Sequence, residues 1–110
     1  MKPTRYYSKQ QETRIAKSVG GKRTANSGAT LWSKGDVRTS DFLIEAKTVT
    51  KEQKSFTIKK EWLEKNKEEA FAMRKLYSAL AFSFGDGVDY YVIDEKLFKL
   101  LLDYIENAVL

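Results

Sequence analysis

The sequence predicts one α/β domain, residues 1–110: a central mixed β-sheet flanked by helices, in the order α-β-β-β-α-β-β-α. Three observations predict it. A chain of 110 residues with 42% hydrophobic side chains suits a single domain with a modest core. Three separated stretches carry apolar residues at helical spacings of 3 and 4. Between them lie short segments, rich in β-branched and aromatic residues, that alternate with period 2.

The elements follow in order. Ser8-Lys9-Gln10-Gln11 fits a capping box and predicts a helix from Lys9 to about Val19, closed by Gly20-Gly21. Glu12, Ile15, Ala16 and Val19 share one face of it. Lys22 to Ala29 reads as a polar loop, and Thr30-Leu31-Trp32 as a short strand. Asp36 to Thr39 and Phe42 to Val49 predict a hairpin turned at Ser40-Asp41. Ser55-Phe56-Thr57-Ile58 alternates and is expected to pair with Phe42–Val49 as a third strand. From Lys59-Lys60 a helix is expected to run to about Tyr77, burying Trp62, Leu63, Ala70, Phe71, Met73 and Leu76. Lys65, Asn66, Lys67, Glu68 and Glu69 are expected on its solvated face. Ser78 to Phe84 reads as a central apolar strand, Gly85-Asp86-Gly87 as a turn, and Asp89 to Ile93 as the next strand. Asp94 is expected to cap a last helix with Leu97, Phe98, Leu101, Ile105 and Ala108 on one stripe. Leu100, Leu102, Tyr104 and Val109 widen that stripe beyond what a core needs, which suggests a partner surface.

The hairpin is where charge enters the sheet. On period 2, Leu43, Glu45 and Lys47 share one face, and Phe42, Ile44 and Ala46 the other. A turn at Ser40-Asp41 sets Thr39 against Phe42, Val37 against Ile44, and Asp36 against Glu45. Directly opposed residues have Cβ atoms about 4.5–5.5 Å apart. Two carboxylates that close repel unless a cation lies between them. Asp41 shares the parity of Glu45 but lies about 13 Å along an extended strand, too far to share an ion.

Composition bounds the chemistry. The chain has no Cys and no His. That excludes disulfides, Cys-based zinc sites, a His general base and a Ser-His triad. Hydrolytic chemistry would rest on carboxylates, lysine, hydroxyls and a hard cation, and oxygen-only ligation favours Mg²⁺ or Mn²⁺. The net charge is +5, yet residues 1–34 carry eight basic side chains against Glu12 alone, so the excess lies at one end. Such clustering points to a polyanionic partner. The N-terminal stretch has no apolar run to serve as a signal peptide, and a cytosolic location is expected.

Asp36 followed by Glu45-Ala46-Lys47 resembles the PD-(D/E)xK nuclease superfamily, with Gly35 in place of the family's proline. Glu52-Gln53-Lys54 and Asp94-Glu95-Lys96 also fit the short pattern, but only the first match lies in a hairpin with apolar flanks and a facing aspartate. Glu12 on a first helix, the Arg23…Asn26-Ser27-Gly28 loop, Gly35-Asp36 and Ile44-Glu45-Ala46-Lys47 follow the order seen in archaeal-type Holliday junction resolvases and their phage-encoded relatives. Ser55 to Lys60 and Lys67-Glu68-Glu69-Ala70 look like segments of the small resolvase-type proteins of phages of Gram-positive bacteria.

The resemblance implies a restriction-endonuclease-like fold and a homodimeric, structure-specific endonuclease that nicks four-way, branched DNA in phage recombination or DNA processing within the host cytoplasm. It implies that Asp36, Glu45 and the Ala46 carbonyl hold Mg²⁺, with Mn²⁺ able to substitute. Glu12 is a further ligand, direct or through water, or else one partner of a salt bridge. Lys47 either acts on the attacking water or stabilises charge on the phosphate. Lys22, Arg23, Asn26, Ser27, Lys34, Lys59 and Lys60 are the expected DNA contacts. Three alternatives stand beside this: a nuclease for other DNA structures, a non-catalytic DNA-binding module of the same fold, and a homodimeric interaction protein.

Overall fold

Pro3 fixes the start of the first helix: its locked φ and missing N–H suit a position where the chain enters a helix. In the computed structural model, which describes residues 2–24 and 36–108, α1 accordingly spans Thr4–Val19. Ser8 lies inside it rather than capping it, and its Oγ donates to Glu12 Oε2 one turn on at 3.2 Å. Gly20 ends the helix in the left-handed region at φ 68°, a conformation that glycine adopts without a Cβ clash.

The remaining elements are β1 (Lys22–Arg23), β2 (Asp36–Arg38), β3 (Phe42–Lys47), α2 (Lys60–Ala72), β4 (Tyr77–Ser83), β5 (Asp89–Val92) and α3 (Glu95–Glu106). The domain is α/β, in the order α-β-β-β-α-β-β-α. Among the described residues the strands form one five-stranded mixed sheet, ordered β1-β2-β3-β4-β5. β3 and β4 run parallel, Phe42 beside Tyr77 through Lys47 beside Phe82, with α2 as the crossover. The other neighbours are antiparallel.

The three strands before α2 are not the expected three. Ser55–Ile58 forms no strand. The side of β3 away from β2 is taken by β4, so the segment has no ladder to join. Its alternation has another cause: the Phe56 ring stacks on Phe82 at 4.8 Å and meets Trp62 at 6.2 Å. The segment is an extended arm laid against the rings, tied at its start by Gln53 N–H to the Phe84 carbonyl at 2.7 Å. Gly85 permits that approach: a Cβ there would lie 2.8 Å from the Lys51 carbonyl oxygen. Lys22–Arg23 supplies the third strand instead.

Parity decides what each sheet face meets. Val37, Ile44, Ala79 and Ala81 gather around Ile15 of α1 in a buried core. Residues of opposite parity face α2: Lys47 Nζ sits 4.2 Å from the centre of the Trp62 ring. Asn66, expected in solvent, is buried against the sheet, and its Nδ2 donates to the Ala79 carbonyl at 3.0 Å. α2 stops at Ala72, and Arg74 turns the chain at φ 58°. Phe71 and Leu76, expected in the core, are 85% and 72% exposed, and Met73 is also exposed. No helix among the described residues is long and apolar enough to cross a membrane.

Polar contacts lock α1 onto the far end of the sheet. Arg14 donates through Nε and Nη2 to the two Asp89 oxygens at 2.7 and 2.8 Å. Gln11 accepts from Thr48 Oγ1 at 2.7 Å. The Asp89 side chain is 9% exposed and that of Arg14 is 38% exposed, so Asp89→Ala loses two charge-assisted bonds but leaves the guanidinium within reach of water, and is expected to cost about 1.5–2 kcal/mol in urea unfolding. Lys67→Ala, which breaks an exposed pair with Asp94, is expected to cost about 0.5 kcal/mol or less. Equal costs would mean that burial does not separate the two pairs.

Candidate functional site

The hairpin forms in the expected register. Asp36 pairs with Glu45, Val37 with Ile44, and Arg38 with Leu43. The turn is set by Thr39, whose N–H donates to the Phe42 carbonyl and whose Oγ1 accepts from the Phe42 N–H, both at 3.0 Å. β1 adds a clamp behind Asp36: Thr24 donates to the Asp36 carbonyl through its N–H at 2.8 Å and its Oγ1 at 3.1 Å. The aspartate backbone is thus held from both sides, by β3 and by Thr24.

Because Asp36 opposes Glu45 directly, both side chains stand on the face that also carries Lys47. Asp36 is 3% exposed, and no donor among the described residues reaches its Oδ1. Its carboxyl is pushed up to about 8, first by burial, then by the negative charges of Glu45, Glu69 and Glu12, with Lys47 pulling the other way. A carboxyl in that position holds a proton where an ordinary aspartate has lost it. Lys47 lies against Trp62, a seat that a charged ammonium takes on the face of an indole.

Glu12 is buried on the α1 side of the sheet. Arg23 Nε donates to its Oε1 at 3.1 Å, and Ser8 holds the other oxygen. It forms the tertiary salt bridge, and Arg23 is thereby drawn to it. Its charge still reaches Asp36. Among the described residues no group of three or more Asp and Glu side chains is arranged to hold a metal ion. The structure brings together Asp36, Glu45, Ala46 and Lys47, and leaves Glu12 outside that group.

Of the expected DNA contacts, Lys22 is exposed on β1, and Lys59 and Lys60 are exposed at the start of α2. Lys59 Nζ lies 5.7 Å from the centre of the Trp62 ring, so it borders the seat of Lys47. Asn26, Ser27 and Lys34, with Gly35 and the short strand expected at Thr30-Leu31-Trp32, lie outside the described residues.

Two residues of α2 expected in solvent face the sheet instead, one of them at Asp36. Glu69 adds negative charge at Asp36, and Asn66 crosses from α2 to the strands. Trp62, Asn66 and Glu69 follow one another at spacings of 4 and 3, so one helix face presents all three. That spacing was the available signal; the charges around it obscured it.

The donor chemistry at Asp36 and Glu45 fits a hard cation. Mg²⁺ is ordinarily held by one or two carboxylates, with waters and substrate phosphates completing its shell. A buried, protonated aspartate opposite a glutamate is a pair that a divalent cation would ionise. No protein-family model, curated protein or solved structure matches this chain.

Proposed function

We propose that this chain is a Mg²⁺-dependent endonuclease for branched DNA, of the Holliday junction resolvase type. The observation that carries the reading is the register pairing of Asp36 with Glu45, two residues before Lys47, on one sheet face. The raised Asp36 carboxyl supports it, since like charges are gathered there at a cost to the fold.

Asp36, Glu45 and the Ala46 carbonyl would hold Mg²⁺ or Mn²⁺. When bound, such an ion lowers the pKa of water and polarises a phosphoryl oxygen. Lys47 supplies positive charge to the phosphate oxygens. Its Nζ lies over the Trp62 ring, the geometry of a cation–π contact, which suits the electrostatic role. Glu69 and Glu12 keep the surroundings of Asp36 negative. Lys22, Lys59 and Lys60 would grip the DNA backbone.

Cleavage of a labelled four-way junction beside a matched linear duplex, in Mg²⁺ and in EDTA, tests the reading. Paired nicks confined to the junction and absent in EDTA are expected. Equal cutting of the duplex would move the function to a general nuclease. The engagement of Glu12 by Arg23 favours a second reading, a DNA-binding module without catalysis, and tight junction binding with no cutting would select it.

Binding is expected to weaken steeply with salt. Four phosphate contacts predict a loss of about a hundredfold in affinity between about 50 and 200 mM salt. Flat dependence in a fluorescence-anisotropy titration would remove nucleic acid as the partner.

A further inference from the structure

The row of the sheet that carries Lys47 continues into aromatic rings. Lys47 lies beside Phe82 on β4, and Phe82 beside Tyr90 on β5, so the three side chains stand on one face. Trp62, under Lys47 Nζ, meets Phe56 at 6.2 Å, and Phe56 stacks on Phe82 at 4.8 Å. Tyr90 stacks on Phe82 at 5.7 Å with 27° between the ring planes. A line of four rings thus runs from the Lys47 ammonium to β5, the last strand of the sheet. Phe84 meets the Tyr90 ring edge-on at 5.5 Å and braces it from a second side. A core would seal these rings, yet Phe56, Trp62 and Phe82 are half-buried and Tyr90 is 47% exposed.

The charge around the rings says what they meet. From β3 to the start of α2 the chain carries Lys47, Lys51, Lys54, Lys59 and Lys60 against Glu52 alone. An acidic peptide would need the lysines but not a row of rings. Duplex DNA would also satisfy the lysines, but its base faces are stacked inside and leave nothing to lay on a ring. A single strand offers phosphates and π-faces together, and proteins that hold it combine a basic groove with aromatic platforms. Lys47 and Tyr90 stand two strand spacings apart, about 10 Å. A phosphate at the lysine puts the base of that nucleotide or its neighbour within reach of the tyrosine.

We infer that Tyr90, backed by Phe82 and Phe84, is the seat of an unpaired base beside the scissile phosphate. The substrate class is then DNA whose strand leaves the duplex at the cut, and the row of rings is what separates it from plain duplex. The inference rests on the nuclease reading for the phosphate at Lys47, but its test reads binding and needs no cleavage.

Fluorescence anisotropy of a labelled oligo-dT strand, with a duplex of equal length alongside and both in EDTA, tests the seat. Tyr90→Ala is expected to weaken single-strand binding about tenfold and duplex binding by less than about twofold. Tyr90→Leu keeps apolar bulk against Phe82 but has no flat face, and is expected to lose single-strand binding as Tyr90→Ala does. Tyr90→Phe keeps the ring and is expected to match wild type. The salt dependence of single-strand binding should be the same in Tyr90→Ala and wild type, because no phosphate contact is lost. A wild-type chain that does not bind the single strand overturns the inference. So does a Tyr90→Leu variant that binds it as wild type does, a Tyr90→Ala variant that weakens both DNAs alike, or a Tyr90→Phe variant as weak as Tyr90→Ala. Junction cleavage keeps the two readings apart. A chain that cuts junctions but binds single strand equally well without the Tyr90 ring keeps the nuclease and loses the seat. A chain that binds through the ring and cuts nothing keeps the seat and loses the nuclease.

Discussion

Asp36→Asn is expected to make the protein more stable while ending its response to divalent metal. Asp36 keeps its proton up to about pH 8 in the fold, whereas an exposed aspartate loses it near the ordinary value of 3.8. The folded state therefore binds that proton more tightly than the unfolded state. Its contribution is fully present below pH 3.8, drains away as pH rises, and is lost above about 8. At 1.36 kcal/mol per pH unit the loss is of the order of 5 kcal/mol. Asparagine has nearly the same shape and never ionises. The gain from Asp36→Asn should grow with pH, from about 1.5 kcal/mol at pH 5 to about 5 kcal/mol near pH 8.5. In thermal unfolding with EDTA that is a rise of about 5 °C at the lower pH and more than about 10 °C at the higher. Mn²⁺ should then raise the wild-type midpoint and leave the variant unmoved, because ionising Asp36 is what the cation favours. A variant less stable than wild type at pH 8.5 would show Asp36 to be a structural partner and not a strained ligand.

The second large effect concerns Glu45. Glu45→Ala is expected to lower junction cleavage at least about a thousandfold while leaving binding in Ca²⁺ or EDTA within about threefold. Removing it also removes the largest neighbouring charge that lifts Asp36. Glu45→Ala should therefore be more stable than wild type at pH 8.5, by less than Asp36→Asn. Asp41→Ala serves as the comparison. Asp41 is exposed at the hairpin turn, and its backbone carbonyl accepts from Tyr77 N–H at 2.9 Å, a bond its side chain does not make. Its cleavage should stay within about twofold of wild type. If Asp41→Ala is as inactive as Glu45→Ala, the pairing of Asp36 with Glu45 is not the centre of the site.

These two experiments bear on the part of the chain that was most readable. A two-residue turn and strict alternation leave little freedom in a hairpin, so Asp36 opposite Glu45 followed from counting. The capping of the last helix by Asp94 was equally local. What escaped was decided at a distance. Ser55–Ile58 alternates because the Phe56 ring rests on Phe82 and Trp62, and alternation alone does not distinguish that from a ladder. Lys22–Arg23 is too short to carry any period, and becomes a strand only because β2 offers an edge. Phe71, Met73 and Leu76 extend the apolar count of α2 to about Tyr77, yet the helix ends at Ala72 and Arg74, at φ 58°, turns the chain toward β4. The polarity of Asn66 predicts solvent, yet the sheet face under α2 carries the buried Leu43 and Leu80, and Asn66 is admitted there because its Nδ2 donates to the strand carbonyls of Leu43 and Ala79.

The contact between Lys47 and Trp62 gives the protein a built-in optical probe. An indole with an ammonium 4.2 Å from its ring centre emits differently once that charge departs. Trp62 shares the chain with one other tryptophan, Trp32, so Trp32→Phe leaves a single emitter at the site. If a phosphate draws Lys47 off the ring, stopped-flow fluorescence would time substrate engagement separately from strand scission, in unlabelled protein on unlabelled DNA.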